Sequence, residues 1–238
     1  MIRVRGLSKA FNGHAVLNAV DFDVANGEIV AVLGPSGTGK SVLLLNLIGL
    51  MAPDAGEIEI DGVKVNRLPE RELLKFRRCI GYLFQDGALY DFMTVEENVA
   101  FPLQEHTALK PAEIKDKVRT LLAMVDMADA GAKYPSELSG GMRKRAALAR
   151  ALVTSPKVLL CDEPTSGLDP IRSRDISLLI RDLSKKLGCT TVITTHDVKN
   201  AFTYADRAVV LYSGRVVAQG VEKELRSLIN PFVKEFLE

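Results

Sequence analysis

The sequence predicts an α/β fold: a core with a mostly parallel sheet, an N-terminal antiparallel β subdomain and an inserted α-helical subdomain. Three observations carry this. Ile29–Leu33 (IVAVL), Val158–Cys161 (VLLC) and Thr190–Thr194 (TTVIT) are short runs bounded by turn residues, the pattern of parallel strands covered on both faces. Amphipathic helical stretches separate the later runs, as a parallel sheet requires. The first sixty-five residues read mostly as strands and turns instead.

Taken in order, Val20, Phe22 and Val24 alternate with polar neighbours, and Asn-Gly pairs at Asn12-Gly13 and Asn26-Gly27 supply turns, which predicts an antiparallel sheet. Asp61-Gly62 divides the alternating run GEIEIDGVKV and marks a hairpin. An apolar helix begins near Lys40. From about Arg77 to Thr154 no continuous apolar strand follows the short IGYLFQ, so this stretch reads as the inserted helical subdomain. Within it, Ile114, Val118, Leu121, Leu122 and Val125 form one stripe of a helix over Pro111–Asp126. Another helix runs from Pro170, a favoured first-turn residue, through Ile176, Leu179, Ile180 and Leu183 to a C-capping Gly188. The chain divides into a core of residues 1–76 and 155–222, the insertion 77–154 and a tail 223–238, all within one domain. In that tail Phe232, Val233, Phe236 and Leu237 share a helical stripe beyond Pro231, so it must dock on its own domain, a paired subunit or a small partner.

Composition narrows the function classes. Hydrophobic residues make up 47% and charged residues 26% of 238, which excludes disorder and fibres. Thirty-one basic against thirty acidic side chains leave a net charge of +1, against a protein that wraps nucleic acid. Cys79, Cys161 and Cys189 are widely spaced with no CxxC pair, so neither a disulfide framework nor a zinc site is expected and a reducing, cytoplasmic setting follows. The most apolar stretch, Val42 to Ala52, falls short of the roughly 20 residues of a membrane-spanning helix. The N-terminus lacks the apolar segment of a signal peptide, so no export is expected.

The chemistry is carried by Gly34-Pro35-Ser36-Gly37-Thr38-Gly39-Lys40-Ser41, which matches G-x-x-x-x-G-K-S between a buried strand and an apolar helix. Glycines let successive backbone N–H groups point at phosphate oxygens, and the helix adds its positive N-terminal end. Lys40 reaches the β- and γ-phosphates of a nucleotide, and the Ser41 hydroxyl can ligate Mg²⁺. Asp162 and Glu163 follow the strand Val158–Cys161 at the end where parallel sheets bind ligands. There Asp162 is expected to hold Mg²⁺ and Glu163 to orient and deprotonate the attacking water. Cys161 reads as a small buried apolar residue. Ser139 can cap the helix that follows ELSGG, while Gly140 and Gly141 expose backbone N–H groups at its positive end, a second phosphate-binding surface. Two copies, each sandwiching a nucleotide between the P-loop of one and the Ser-Gly-Gly of the other, use both surfaces.

With these markers the chain resembles the ATP-binding-cassette ATPases over essentially its whole length. The resemblance implies a P-loop NTPase core, ATP as ligand with Mg²⁺, and ATP hydrolysis. It sets Phe11 at the nucleotide-stacking aromatic, with a core phenylalanine as the alternative. Gln85 resembles the glutamine that contacts Mg²⁺ and water and hinges the helical subdomain. Ser166–Asp169 (SGLD) resembles the loop that crosses the dimer interface, and His196 in TTHD the switch histidine that touches the γ-phosphate. Two positions depart from the family. Val42 stands where most members have Thr, which removes a side-chain donor but keeps the backbone N–H, and Met142 replaces the usual Gln after Ser-Gly-Gly. Together with FQDGALYDFMTVEENVAFPL, these features resemble the ATPases of MCE-type lipid transporters, most closely the Mla phospholipid system of double-membraned bacteria.

That resemblance implies a peripheral subunit on the cytoplasmic face of the bacterial inner membrane. Its partners would be a second copy of itself, multi-spanning permease subunits, a small STAS-domain regulator and an MCE-domain protein, with no nucleic acid. Leu89, Tyr90, Phe92 and Met93 would then line a groove for a permease helix, or else be plain subdomain core. A transporter of another substrate is one alternative. A soluble cassette working on ribosomes or DNA is another, without the second cassette, coiled coil or zinc module such relatives carry. A small-molecule kinase or GTPase would lack a role for Ser-Gly-Gly, and no N-K-x-D is present.

Overall fold

The computed structural model describes residues 1–237, so Glu238 of the expected tail lies outside the described residues. The chain opens with β1 (Ile2–Phe11) and β2 (His14–Val24), antiparallel and joined at Asn12-Gly13, where both residues take positive φ (50° and 80°) as a tight primed turn demands. Asn26-Gly27 forms no hairpin: the chain turns there into β3 (Ile29–Leu33), which belongs to a different sheet. After α1 (Lys40–Leu47), β4 (Ala55–Ile60) and β5 (Val63–Lys64) return to the first sheet as the expected hairpin, with φ of 49° at Asp61 and 81° at Gly62. This sheet runs β2-β1-β4-β5.

Next come α2 (Glu70–Arg77) and β6 (Ile80–Leu83), then α3 (Val95–His106), α4 (Pro111–Met124) and α5 (Gly140–Leu152). Thr94 and Glu97 start α3 with a reciprocal cap, the Thr94 hydroxyl accepting from the Glu97 N–H while the Glu97 carboxylate accepts from the Thr94 N–H. The core resumes with β7 (Val158–Asp162), α6 (Pro170–Leu187), β8 (Thr190–Thr195), α7 (Val198–Tyr204), β9 (Arg207–Tyr212) and β10 (Arg215–Gly220). Asp169 caps α6, and Gly188 ends it at φ 68° as its sequence predicts. Two short helices, α8 (Glu222–Arg226) and α9 (Pro231–Leu237), close the described chain.

The second sheet runs β10-β9-β3-β8-β7-β6, parallel throughout except for the antiparallel edge strand β10. One expectation is corrected here. Ile80–Leu83 falls in the stretch assigned to the helical insertion, yet it pairs parallel with Val158–Cys161 as an edge strand of the core sheet. The helices α3, α4 and α5 therefore leave the core after Leu83.

The apolar runs of the central strands are explained by burial on both faces. Ile29, Ala31 and Leu33 of β3 join one core with residues of α3 to α7, whereas Val30 and Val32 join a second core with α1 and the antiparallel sheet. Strands β7 and β9 divide in the same way, Leu159 and Cys161 against Leu160, and Ala208 and Val210 against Val209.

The tail docks on its own domain. Val233 and Leu237 are buried in the first of these cores, and Phe232 stacks on Tyr212 with ring centroids 3.6 Å apart. Val233→Ala should therefore lower unfolding stability by about 2 kcal/mol, read as a lower denaturant midpoint at unchanged slope. Ile229→Ala, at a side chain 94% exposed, should leave that midpoint where it is.

Candidate nucleotide site

Adjacent parallel strands deliver the site. Strand β8 lies between β3 and β7 with Leu33 opposite Thr195 and Asp162 opposite Thr194, so Gly34, Glu163 and His196 emerge at one end of the sheet. The chain leaving β3 must pass close to β9. A Cβ on Gly34 would collide with the Leu211 carbonyl oxygen, and one on Gly39, at φ 94°, would come within 2.9 Å of Val16. The N-terminus of α1 carries no side-chain cap, the loop and the first turn border one cavity, and the helix end adds positive potential.

Two adjacent carboxylates sit under the loop, Asp162 and Glu163, each less than a tenth exposed. Asp162 Oδ1 accepts from the Ser41 hydroxyl at 3.0 Å and the Thr194 hydroxyl at 2.7 Å. Glu163 Oε1 pairs with the Lys40 ammonium at 3.0 Å, and Oε2 lies 2.8 Å from His196 Nδ1. A carboxylate only accepts, so Nδ1 carries the proton and Nε2 is left for another partner. Lys40 also donates to the Gly34 and Pro35 carbonyls at 2.8 and 3.1 Å, which fixes its ammonium beneath the loop. Burial, with Asp162 beside it, holds the Cys161 thiol far above its ordinary range, so it stays neutral and packs as the sequence suggests.

A cavity of about 430 Å³ opens above these groups, lined among others by Ser36, Gly37, Gly39, Lys40, Ser41 and Glu163. Val42, Gln85, Ser166 and His196 complete it together with Val16, a residue the sequence offered no reason to select. Gln85 donates to the Ser166 hydroxyl at 3.3 Å. Phe11 is 41% exposed, which removes the core alternative, but it does not line this cavity. Ser139, Gly140 and Gly141 do not line it either. Ser139 caps α5, accepting from the Met142 N–H at 3.3 Å, and is exposed, with Gly140 beside Leu168.

Helix α5 also grips the segment after Gln85. Lys144 donates to the Gln85 carbonyl, and Arg150 to the Ala88 and Gly87 carbonyls at 2.6 and 2.7 Å. Desolvation lowers the pKa of both cations. Asn98, fully buried and not singled out by its sequence, accepts from the Tyr90 N–H at 2.7 Å and donates to the carbonyls of Tyr90, Met93 and Thr94. This loop borders a groove of about 650 Å³ that includes Leu74, Tyr82, Phe84, Tyr90 and Phe101. Phe92 stands 76% exposed at the same loop, whereas Leu89 packs against the core and Met93 is half-buried, so the four apolar residues divide between surface and interior.

The phosphate loop, the strand-end carboxylates and the separate Ser-Gly-Gly helix define a nucleotide-hydrolysing cassette. A family profile described as ABC transporter matches residues 17–166, and the chain belongs to this family of ATP-hydrolysing cassettes. It is 45% identical over 236 residues to the probable ribonucleotide transport ATP-binding protein mkl of Mycobacterium leprae, covering 99% of this chain and 68% of that protein. The counterpart from Mycobacterium bovis is spanned over 66% of its length. Identity is 42% to the methionine import ATP-binding protein MetN of Carboxydothermus hydrogenoformans, over 100% of this chain and 71% of that one. The intermembrane phospholipid transport system ATP-binding protein MlaF of Haemophilus influenzae is 39% identical over 100% of this chain and 90% of its own. Among solved structures, the dimeric cassette MJ0796 bound to ADP and Pi matches with a TM-score of 0.85 at 33% identity, covering 93% of this chain and 98% of that one.

Gly34→Ala should abolish nucleotide binding, because the new methyl group meets a backbone carbonyl rather than a mobile side chain. Titration with a fluorescent ATP analogue tests this, and wild-type affinity would show that the loop can shift away from β9.

Proposed function

We propose that this cassette powers phospholipid transport between bacterial membranes through separate membrane-spanning subunits, working as a pair of copies on the cytoplasmic face of the inner membrane. The observation that carries the lipid reading is the resemblance to MlaF, which extends over all of this chain and 90% of that protein. Met142 and the FQDGALYDFMTV segment point the same way. A second reading, a cassette for another substrate, is favoured by the higher identities to mkl and MetN.

The residues divide the work as follows. Backbone N–H groups from Gly34 to Val42, Pro35 excepted, cradle the phosphates and Lys40 neutralises them, while Phe11 stacks on the base. Ser41, Asp162 and Gln85 offer hard oxygen donors of the kind Mg²⁺ prefers, and they would hold that ion, which when bound neutralises charge on the phosphates. An incoming phosphate competes with Glu163 for the Lys40 ammonium. Once released, Oε1 is free to take a proton from the attacking water, while His196 keeps hold of Oε2.

The γ-phosphate contacts that one chain lacks come from Ser139, Gly140 and Gly141 of a second copy. That assignment is supported by the exposure of Ser139 and its separation from its own chain's cavity. The groove beside Tyr90 and Phe92 receives a permease helix, and the STAS-domain and MCE-domain proteins are partners of the same assembly. Among the described residues no helix is long and apolar enough to cross a membrane.

The assembly purified with its membrane subunits and reconstituted in vesicles should move a fluorescent phospholipid only with ATP. Methionine or ribonucleotide uptake without lipid movement would establish the second reading. For the chemical step, Glu163→Gln keeps shape and hydrogen bonding but not basicity, so turnover should fall by about 10²–10⁴-fold with nucleotide binding retained. Near wild-type turnover in that variant would place the base elsewhere.

A further inference from the structure

We propose that Thr194 is a positioning residue for hydrolysis, holding Asp162 and Glu163 in their working orientations from the neighbouring strand. The inference rests on the reading of those two carboxylates given above. The side chain of Thr194 is wholly buried in β8, directly opposite Asp162 in the parallel register. A buried hydroxyl is unfavourable unless it is hydrogen-bonded, and this one both donates and accepts, with the Cys161 carbonyl at 3.4 Å a longer alternative for its proton. Its proton goes to Asp162 Oδ1 at 2.7 Å, a shorter contact than the 3.0 Å from Ser41 to the same oxygen. With Oδ1 held by two donors, the plane of the carboxylate is fixed and Oδ2 is left free.

The same hydroxyl oxygen accepts from the Glu163 N–H at 3.1 Å, and the Thr194 carbonyl accepts from that N–H at 3.1 Å as well. Glu163 needs such a hold, because its φ of 44° puts a residue with a long side chain in the left-handed region, a strained conformation that persists only when its surroundings enforce it. The backbone of Glu163 is therefore held by Thr194 while its carboxylate is held by His196, two residues further along the same strand end. A β-branched residue at this place satisfies the strand by its shape alone. The hydroxyl adds a tie that valine could not make.

Thr194→Val removes only that tie, and Thr194→Ser keeps it while removing a methyl group. Turnover of Thr194→Val should fall roughly tenfold to a hundredfold, the scale expected when reacting groups are misplaced rather than removed. KM for ATP, and the affinity for a fluorescent ATP analogue without Mg²⁺, should stay near wild type because the phosphate loop is untouched. Thr194→Ser should restore most of the turnover. If Thr194→Val fails to fold in a thermal melt, Thr194→Ser against Thr194→Ala makes the same comparison, and alanine should be the slower by a similar factor. Wild-type turnover in Thr194→Val, or equal turnover of the serine and alanine variants, overturns the proposal. Glu163→Gln measured alongside keeps the two claims apart. An active Glu163→Gln sinks the assignment of the base, whereas an inactive one beside an unimpaired Thr194→Val sinks only the role of Thr194.

Discussion

Two carboxylates on consecutive residues, Asp162 and Glu163, are withdrawn from water at one end of the sheet, and each must find partners or carry a large desolvation cost. Asp162 takes two hydroxyls, from Ser41 and Thr194, and Glu163 takes an ammonium and an imidazole, from Lys40 and His196. These four partners come from two places, the start of α1 and the end of β8. The strand order β3-β8-β7 is what brings both within hydrogen-bond reach of the end of β7. The double-faced apolar core serves this arrangement, since parallel strands covered on both sides hold their register and so hold the four contacts.

In the proposed mechanism the same network couples the site to its ligand. Lys40 is pinned by two carbonyls and by Glu163, so a phosphate entering the loop competes for the ammonium and frees the carboxylate beside it. Glu163 cannot drift far when freed, because its main chain is bonded to β8 and its other oxygen to His196. Lys144 and Arg150 tie α5 to the carbonyls of Gln85, Gly87 and Ala88, which joins the groove loop to the helix that Ser139 caps.

Much of this was legible in the sequence, because it is local. The phosphate loop, the strand-end carboxylates, the Asp61-Gly62 hairpin and the caps at Ser139 and Gly188 each depend on a few neighbouring residues, whereas His196 stands out only through the family resemblance. What escaped depends on contacts between distant segments. Strand β6 is four residues long with a glycine inside and two half-buried positions, so it lacks the apolar run that betrays β3 and β7 and reads as part of the helical stretch that follows it. Val16 matters only because the phosphate loop folds back over β2, and Asn98 because a loop closes around its amide. Thr194 reads as one threonine among several strand formers until the register sets it opposite Asp162. The tail could have docked on several surfaces, and the choice of its own core follows from where β9 leaves Tyr212.

Taken together, one chain provides a phosphate loop, the carboxylate proposed as base and its supports, while the exposed Ser-Gly-Gly end of α5 lies outside its own cavity. Hydrolysis at a site shared between two copies is the claim on which the account stands. It is tested most directly by mixing Lys40→Ala chains with Ser139→Arg chains, each inactive alone, and measuring ATP turnover of the mixture. In a mixed pair one site carries both lesions and the other neither, so the account predicts partial recovery of activity. No recovery from mixed pairs whose formation is verified by mass, or full turnover by Ser139→Arg alone, would contradict it.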